Sequence, residues 1–139
     1  MNFVPAMNTI LVNALLVGIG GFAGSVSRYL VGVAVAGTGG WFPVATFVVN
    51  VIGAILLGGV LALFSGGGCG ETAKHLLAVG FCGGFTTFST FSAEVFHLLK
   101  IHQNLGAAVY AFASLALCVL GVWIGWMICE KILSSAPCN

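Results

Sequence analysis

Thr86, Thr87, Ser89, Thr90, Asn50, Tyr110 and Ser114 are neutral hydrogen-bonding side chains set within long apolar runs. An anion crossing hydrocarbon must exchange its hydration for other hydrogen-bond donors. Hydroxyls and an amide supply them without the negative charge that would repel it. Phe85, Phe88 and Phe91 recur every three residues among these hydroxyls and form a slowly drifting ridge on a helix. Aromatic ring edges are electropositive, so a ring presented edge-on stabilises a small anion where a carboxylate would exclude it. Packing is the competing reading, because such stripes usually fill cores and membrane Ser or Thr usually bonds its own backbone.

The hydroxyls and rings belong to one stretch, Gly80-Phe81-Cys82-Gly83-Gly84-Phe85-Thr86-Thr87-Phe88-Ser89-Thr90-Phe91-Ser92-Ala93-Glu94. Three glycines, five hydroxyl residues and four phenylalanines share its fifteen positions. Irregular backbone survives at membrane depth only where protein covers it or where it lines a cavity. The glycines followed by hydroxyls therefore predict a helix broken beside a polar path or a bound ion. Main-chain carbonyls released between Gly83 and Thr86 are oxygen ligands of the kind a small hard cation takes.

The elements that position these groups follow from composition. Of 139 residues, 60% are hydrophobic and 5% charged, with no Asp, where soluble domains carry about a quarter charged residues. At roughly 20 apolar residues per crossing, the chain is an all-α integral membrane protein with four transmembrane helices and no separate soluble domain. The expected spans are 9–36, 44–64, 75–99 and 106–129, the third one broken. Gly20 and Gly24, and likewise Gly121 and Gly125, have the small-xxx-small spacing that lets helices approach closely. Trp41 and Phe42 suit an interfacial belt, residues 65–73 form a Gly-rich loop, and 134–139 form a tail. The five cysteines lack a CxxC pair and read as small buried hydrophobes. The N-terminus lacks the basic region of a cleaved signal peptide, and no basic patch points to nucleic acid.

Thr46 and Asn50 lie one helical turn apart on one face, as do Tyr110 and Ser114. Asn50 either bonds another helix or faces a wet path. Arg28 is either a snorkelling cation near the surface or a vestibule charge that attracts anions. Lys74 and Lys131 fall on one side of a four-span arrangement, Lys100 and Arg28 on the other. Orientation follows the Lys and Arg excess, so this balanced chain is expected to insert both ways. An antiparallel two-fold homodimer is then a natural closed assembly, with two Gly83–Thr86 breaks meeting near the midplane.

The 80–94 stretch closely resembles the signature of the Fluc (CrcB) fluoride channel family. Gly20-Gly21-Phe22-Ala23-Gly24-Ser25-Val26-Ser27-Arg28-Tyr29, Thr46 with Val49-Asn50-Val51-Ile52-Gly53, and Tyr110 with Ser114 support it. The resemblance covers all four spans. It implies a dual-topology homodimer in the plasma membrane, the inner membrane of a Gram-negative source, with two fluoride pathways and a central sodium ion. Phe88 and Phe91 resemble the phenylalanine box, Asn50 the amide donor beside it, and Ser89, Thr90, Tyr110 and Ser114 the polar track. Thr87 joins the pathway as a hydroxyl donor. Gly83 and Thr86 resemble the positions whose carbonyls hold Na+, Arg28 the vestibule arginine, and Glu94 the acidic residue that closes the motif. The implied function is passive, fluoride-selective export that keeps cytoplasmic fluoride low, with no covalent chemistry.

Two rivals remain at this point. A proton-coupled exporter of cationic compounds needs a membrane-embedded carboxyl, for which Glu94 is the candidate. A non-transporting four-helix scaffold would have no use for the hydroxyl-rich break.

Overall fold

The structure is a computed structural model and describes residues 3–37, 40, 42–65 and 70–135. Trp41, Cys69, Cys138 and the end of the tail, residues 136–139, lie outside the described residues. Every regular element among the described residues is helical. Helix α1 is Phe3–Ala34 and α2 is Val44–Ser65. Helix α3 covers 71–85 and comprises an α turn Glu71–Lys74, a π stretch His75–Cys82 and a last turn Gly83–Phe85. Helix α4 is Phe88–Lys100 and α5 is Asn104–Ser135.

Among the described residues four stretches are long and apolar enough to cross a bilayer: Met7–Ala34, Val44–Ser65, Thr72–Lys100 and Asn104–Ser135. The third consists of α3 and α4 with the break between them. The Gly-rich loop is shorter than its composition suggests, because helix resumes at Glu71. Ser134 and Ser135 close α5 instead of opening a tail. Their hydroxyls bond the Lys131 and Ile132 carbonyls at 3.0 Å each, satisfying acceptors that a helix end leaves bare.

Glycines set two close helix contacts. A Cβ built on Gly20 would collide with the Leu76 carbonyl, and one on Gly84 with the Gly21 carbonyl, so α1 meets α3 backbone to backbone. On the other side, a Cβ on Gly58 would strike the Val122 carbonyl and one on Gly125 the Ile55 carbonyl, joining α2 to α5 in the same way. In lipid, where apolar burial drives little helix association, such approaches let dispersion hold the pairs together.

Helix α4 leans on α5 through a cluster of Leu98, Ala107 and Tyr110, with Phe42, Phe47, Phe91 and Val95 packed around it. The turn between α4 and α5 closes at His102, whose φ is 60°. Apolar side chains such as Ile10, Leu15, Ile19 and Phe22 on α1, and Phe112 and Val119 on α5, face outward, as a surface bathed in acyl chains requires.

Candidate functional site

The break is two residues long. Thr86 has φ −79° and ψ 159°, and Thr87 has φ −148° and ψ 112°, both extended. Two successive glycines weaken the helix before this point, and two β-branched residues favour extended backbone at it. The freed peptide of Thr87 does not stay bare in the membrane interior. Its N–H donates to Asn50 Oδ1 at 2.8 Å, and Asn50 Nδ2 donates to its carbonyl at 3.2 Å. One amide side chain on α2 thus mimics a β-bridge and satisfies both groups, which hydrocarbon could not do.

Thr87 also starts the next helix. Its Oγ1 accepts the Thr90 N–H at 3.3 Å as an N-cap and bonds the Thr90 hydroxyl at 2.9 Å, with Ser89 Oγ 3.4 Å away. Thr86 Oγ1 donates back to the Cys82 carbonyl at 2.9 Å. Ser25 of α1 reaches across to the Gly84 carbonyl at 3.4 Å. The residues that end one half-helix therefore organise the next.

Beside the break lies an open groove of about 330 Å³ whose wall includes Asn50, Thr86, Thr87, Phe88, Phe91, Ser114 and Cys118. Among the described residues no carboxyl group lines it. Asn50 uses its oxygen and one amide hydrogen on Thr87, which leaves its second hydrogen available. Ser114 Oγ is buried and has no hydrogen-bond partner among the described residues. A buried hydroxyl without a partner costs about 1–3 kcal/mol, so this one is suited to a ligand. The Phe88 and Phe91 rings stand 5.8 Å apart at 39°, and Phe91 in turn meets Tyr110 at 5.2 Å and 52°.

Across Thr87 is a second cavity of about 320 Å³, lined by Ser25, Arg28, Thr46, Thr87 and Thr90 among others. Thr87 belongs to both walls and is the partition between them. Arg28 is half-buried on the second wall. It shares that lining with Thr87 and Thr90.

Tyr110 does not reach the groove. It is fully buried behind Phe91, and its hydroxyl donates to Glu94 Oε2 at 2.7 Å. Thr46 donates to Glu94 Oε1, also at 2.7 Å. The Glu94 carboxyl thus ties α2, α4 and α5 together. Ser89 is exposed near the partition, and Gly83 lies exposed three residues before the break. Among the described residues no group of three or more His, Cys, Asp or Glu side chains could hold a metal.

Two features escaped sequence reasoning. Cys118 lines the groove one helical turn beyond Ser114, and the Tyr110–Ser114 spacing extended by four residues would have found it. The Thr46–Glu94–Tyr110 connection could have been anticipated from the acid set inside the third span, because a half-buried carboxyl needs donors. Cys82 is buried, whereas Cys118 and Cys129 are half-buried, and all three carry free thiols.

Comparisons with known proteins identify the family. Residues 15–126 match the family described as CrcB-like protein, Camphor Resistance (CrcB). The "Fluoride-specific ion channel FluC" of Chlorobaculum tepidum is 49% identical over 108 residues, covering 77% of this chain and 86% of that protein. "Fluoride-specific ion channel FluC 2" of Rhodococcus jostii is 46% identical over 112 residues, 81% of this chain and 94% of its own. The "Fluoride-specific ion channel FluC" of Coxiella burnetii is 40% identical over 124 residues, 86% and 99% respectively. Four membrane-crossing helices and these relatives make the chain a multi-pass protein of the plasma membrane. With the match running through all four crossings, this chain belongs to the CrcB family.

Proposed function

We propose that this chain forms a fluoride-selective passive channel, working as an antiparallel homodimer that lets F− leave the cytoplasm down its gradient. The observation that carries the reading is the groove beside the break. Its wall combines the spare Asn50 hydrogen, the unpartnered Ser114 hydroxyl and the Phe88 and Phe91 rings, with no carboxyl among the described residues to repel an anion. Hydroxyl and amide donors replace water around a small halide, and ring edges complete its surroundings. Three relatives named as fluoride-specific ion channels support the choice of ion. Fluoride enters cells as the weak acid HF and ionises inside, so a passive path suffices for export, and no bond is made or broken.

Thr87 and Thr90 lead from the Arg28 cavity to the groove, with Ser89 beside them. Arg28 gathers the anion at the entrance, and Glu94 braces the helices with Thr46 and Tyr110. Tyr110 stands behind Phe91 and contributes to the path by fixing that ring.

A single chain leaves the groove open, with Phe88 80% exposed at its edge. A second copy in the opposite orientation would cover it, and the balanced distribution of Lys and Arg suits such dual insertion. In that dimer the Gly83 and Thr86 main-chain carbonyls are the groups suited to a central Na+. The fit rests on two features. Thr86 departs from helical geometry at ψ 159°, which turns its carbonyl out of the ladder. Gly83 is exposed in the single chain, so its backbone can be reached from outside the bundle. A bound Na+ would neutralise the carbonyl dipoles of the two breaks and fasten the copies together.

The proton-coupled exporter fares worse. Glu94, its one candidate carboxyl, is absent from the groove wall, and each of its oxygens accepts from a hydroxyl. Purified protein in liposomes loaded with fluoride or chloride tests the reading: fluoride should leave and chloride should stay. Equal release of the two ions would overturn it.

A further inference from the structure

We propose that Asn50 and the Thr87 hydroxyl are positioning groups that deny the Gly83 and Thr86 carbonyls their helical partners and so keep both oxygens available to a hard monovalent cation. The inference rests on the cation site of the proposed function and deepens it. An α-helix bonds each N–H to the carbonyl four residues earlier. An uninterrupted third span would therefore pair the Thr87 N–H with the Gly83 carbonyl and the Thr90 N–H with the Thr86 carbonyl.

Both donors are diverted. The Thr87 N–H goes to Asn50 Oδ1 at 2.8 Å, and the Thr90 N–H goes to Thr87 Oγ1 at 3.3 Å. The two diversions strip the helical partner from the very two carbonyls assigned to the cation, although the groups responsible lie on different elements and share no atom. An amide N–H left bare at membrane depth is costly. Without Asn50, the nearest remedy for Thr87 is the Gly83 oxygen. Without the Thr87 hydroxyl, the nearest remedy for Thr90 is the Thr86 oxygen. Either repair straightens the chain and occupies a ligand. The amide that faces the anion groove thus also sets the cation site, so the two ions share one structural support. Gly83 is itself exposed and brings no side chain beside the first oxygen.

The test measures thermal unfolding of the purified full-length protein, first in N-methylglucamine buffer and then across a Na+ titration, which gives the Na+ concentration of half-maximal stabilisation. Asn50→Leu and Thr87→Val should each raise that midpoint roughly tenfold, the consequence of losing about one hydrogen bond's bias. Thr87→Ser keeps the cap acceptor and should stay at the wild-type midpoint. Phe88→Ile should lower fluoride flux and leave the midpoint where it was. Wild-type midpoints for both Asn50→Leu and Thr87→Val would overturn the proposal, and so would a Thr87→Ser midpoint displaced as far as that of Thr87→Val. If Asn50→Leu gives no folded protein, the Val and Ser pair at position 87 decides alone. A wild type with the same unfolding in both buffers would overturn the cation site and this inference together. Failure of the fluoride reading is seen separately, in the liposome release assay.

Discussion

The Tyr110 hydroxyl donates to Glu94 Oε2 at 2.7 Å from the opposite side of the carboxyl to Thr46, which holds Oε1 at the same distance. Three helices converge on one acidic side chain, and neither oxygen is left without a donor. Tyr110→Phe removes one donor and keeps the ring that packs on Phe91 and Phe42. It should destabilise the fold by about 1–3 kcal/mol, the cost of stranding a buried acceptor. Thermal unfolding in detergent checks this, and unfolding identical to wild type would dissolve the bracing role. Glu94→Gln retains one acceptor and should cost less. Its fluoride release should remain passive, following the gradient with no dependence on an imposed proton gradient.

Ser114 gives the opposite sign. Its Oγ is buried with no protein partner among the described residues, so Ser114→Ala removes an unsatisfied group and leaves only a small cavity. Stability should hold or rise by up to about 1 kcal/mol, while fluoride flux from liposomes falls several-fold because a donor on the groove wall is gone. Loss of stability together with unchanged flux would mean that the hydroxyl serves packing.

Helix approach is tested by two glycines on α1. A side chain at Gly20 would run into the Leu76 carbonyl of α3, whereas Gly18 has nothing within 4 Å of an added Cβ. Gly20→Val should cost upwards of about 1–3 kcal/mol through overpacking that backbone cannot relieve by rotating a side chain. Gly18→Ala should be neutral or slightly stabilising, since alanine is the better helix former by about 1 kcal/mol. Monodisperse yield on size exclusion and the unfolding temperature separate the two variants.

Insertion in both orientations depends on an even charge balance across the bilayer. Lys74, at the start of the third span, and Lys131, near the end of α5, lie on one side. Replacing both with Ala leaves Arg28 and Lys100 as the basic residues of the four spans, all on the opposite side. The doubly substituted chain should insert predominantly one way, as accessibility labelling of the termini would record. A population still divided between the two orientations would count against dual insertion guided by these lysines.

Much of this molecule is written locally in its sequence. Long apolar runs made four crossings unavoidable, because a peptide backbone in lipid must bond within its own segment. The Gly83-Gly84 pair before Thr86-Thr87 marked the break, since flexible residues followed by β-branched ones weaken helix continuity locally. The three-residue rhythm of Phe88 and Phe91, and the four-residue spacing of Thr46 with Asn50 and of Tyr110 with Ser114, assigned shared faces by helix geometry alone.

What those faces meet was decided in three dimensions. Periodicity puts Asn50 on a face, but only the packing of α2 against the interrupted third span lets its amide grip the Thr87 peptide from both ends. Tyr110 and Ser114 share a face of α5, yet one hydroxyl is claimed by Glu94 and the other is left to the groove, because α4 covers the helix at one level and the break uncovers it at the next. The eight-residue π stretch His75–Cys82 had no mark in residue type. It accompanies the close approach of Gly80 and Gly84 to α1, a contact between distant parts of the chain. Sequence spacing fixes angles about a helix axis, whereas hydrogen-bond partners depend on distances between helices, and those distances exist only once the bundle has packed.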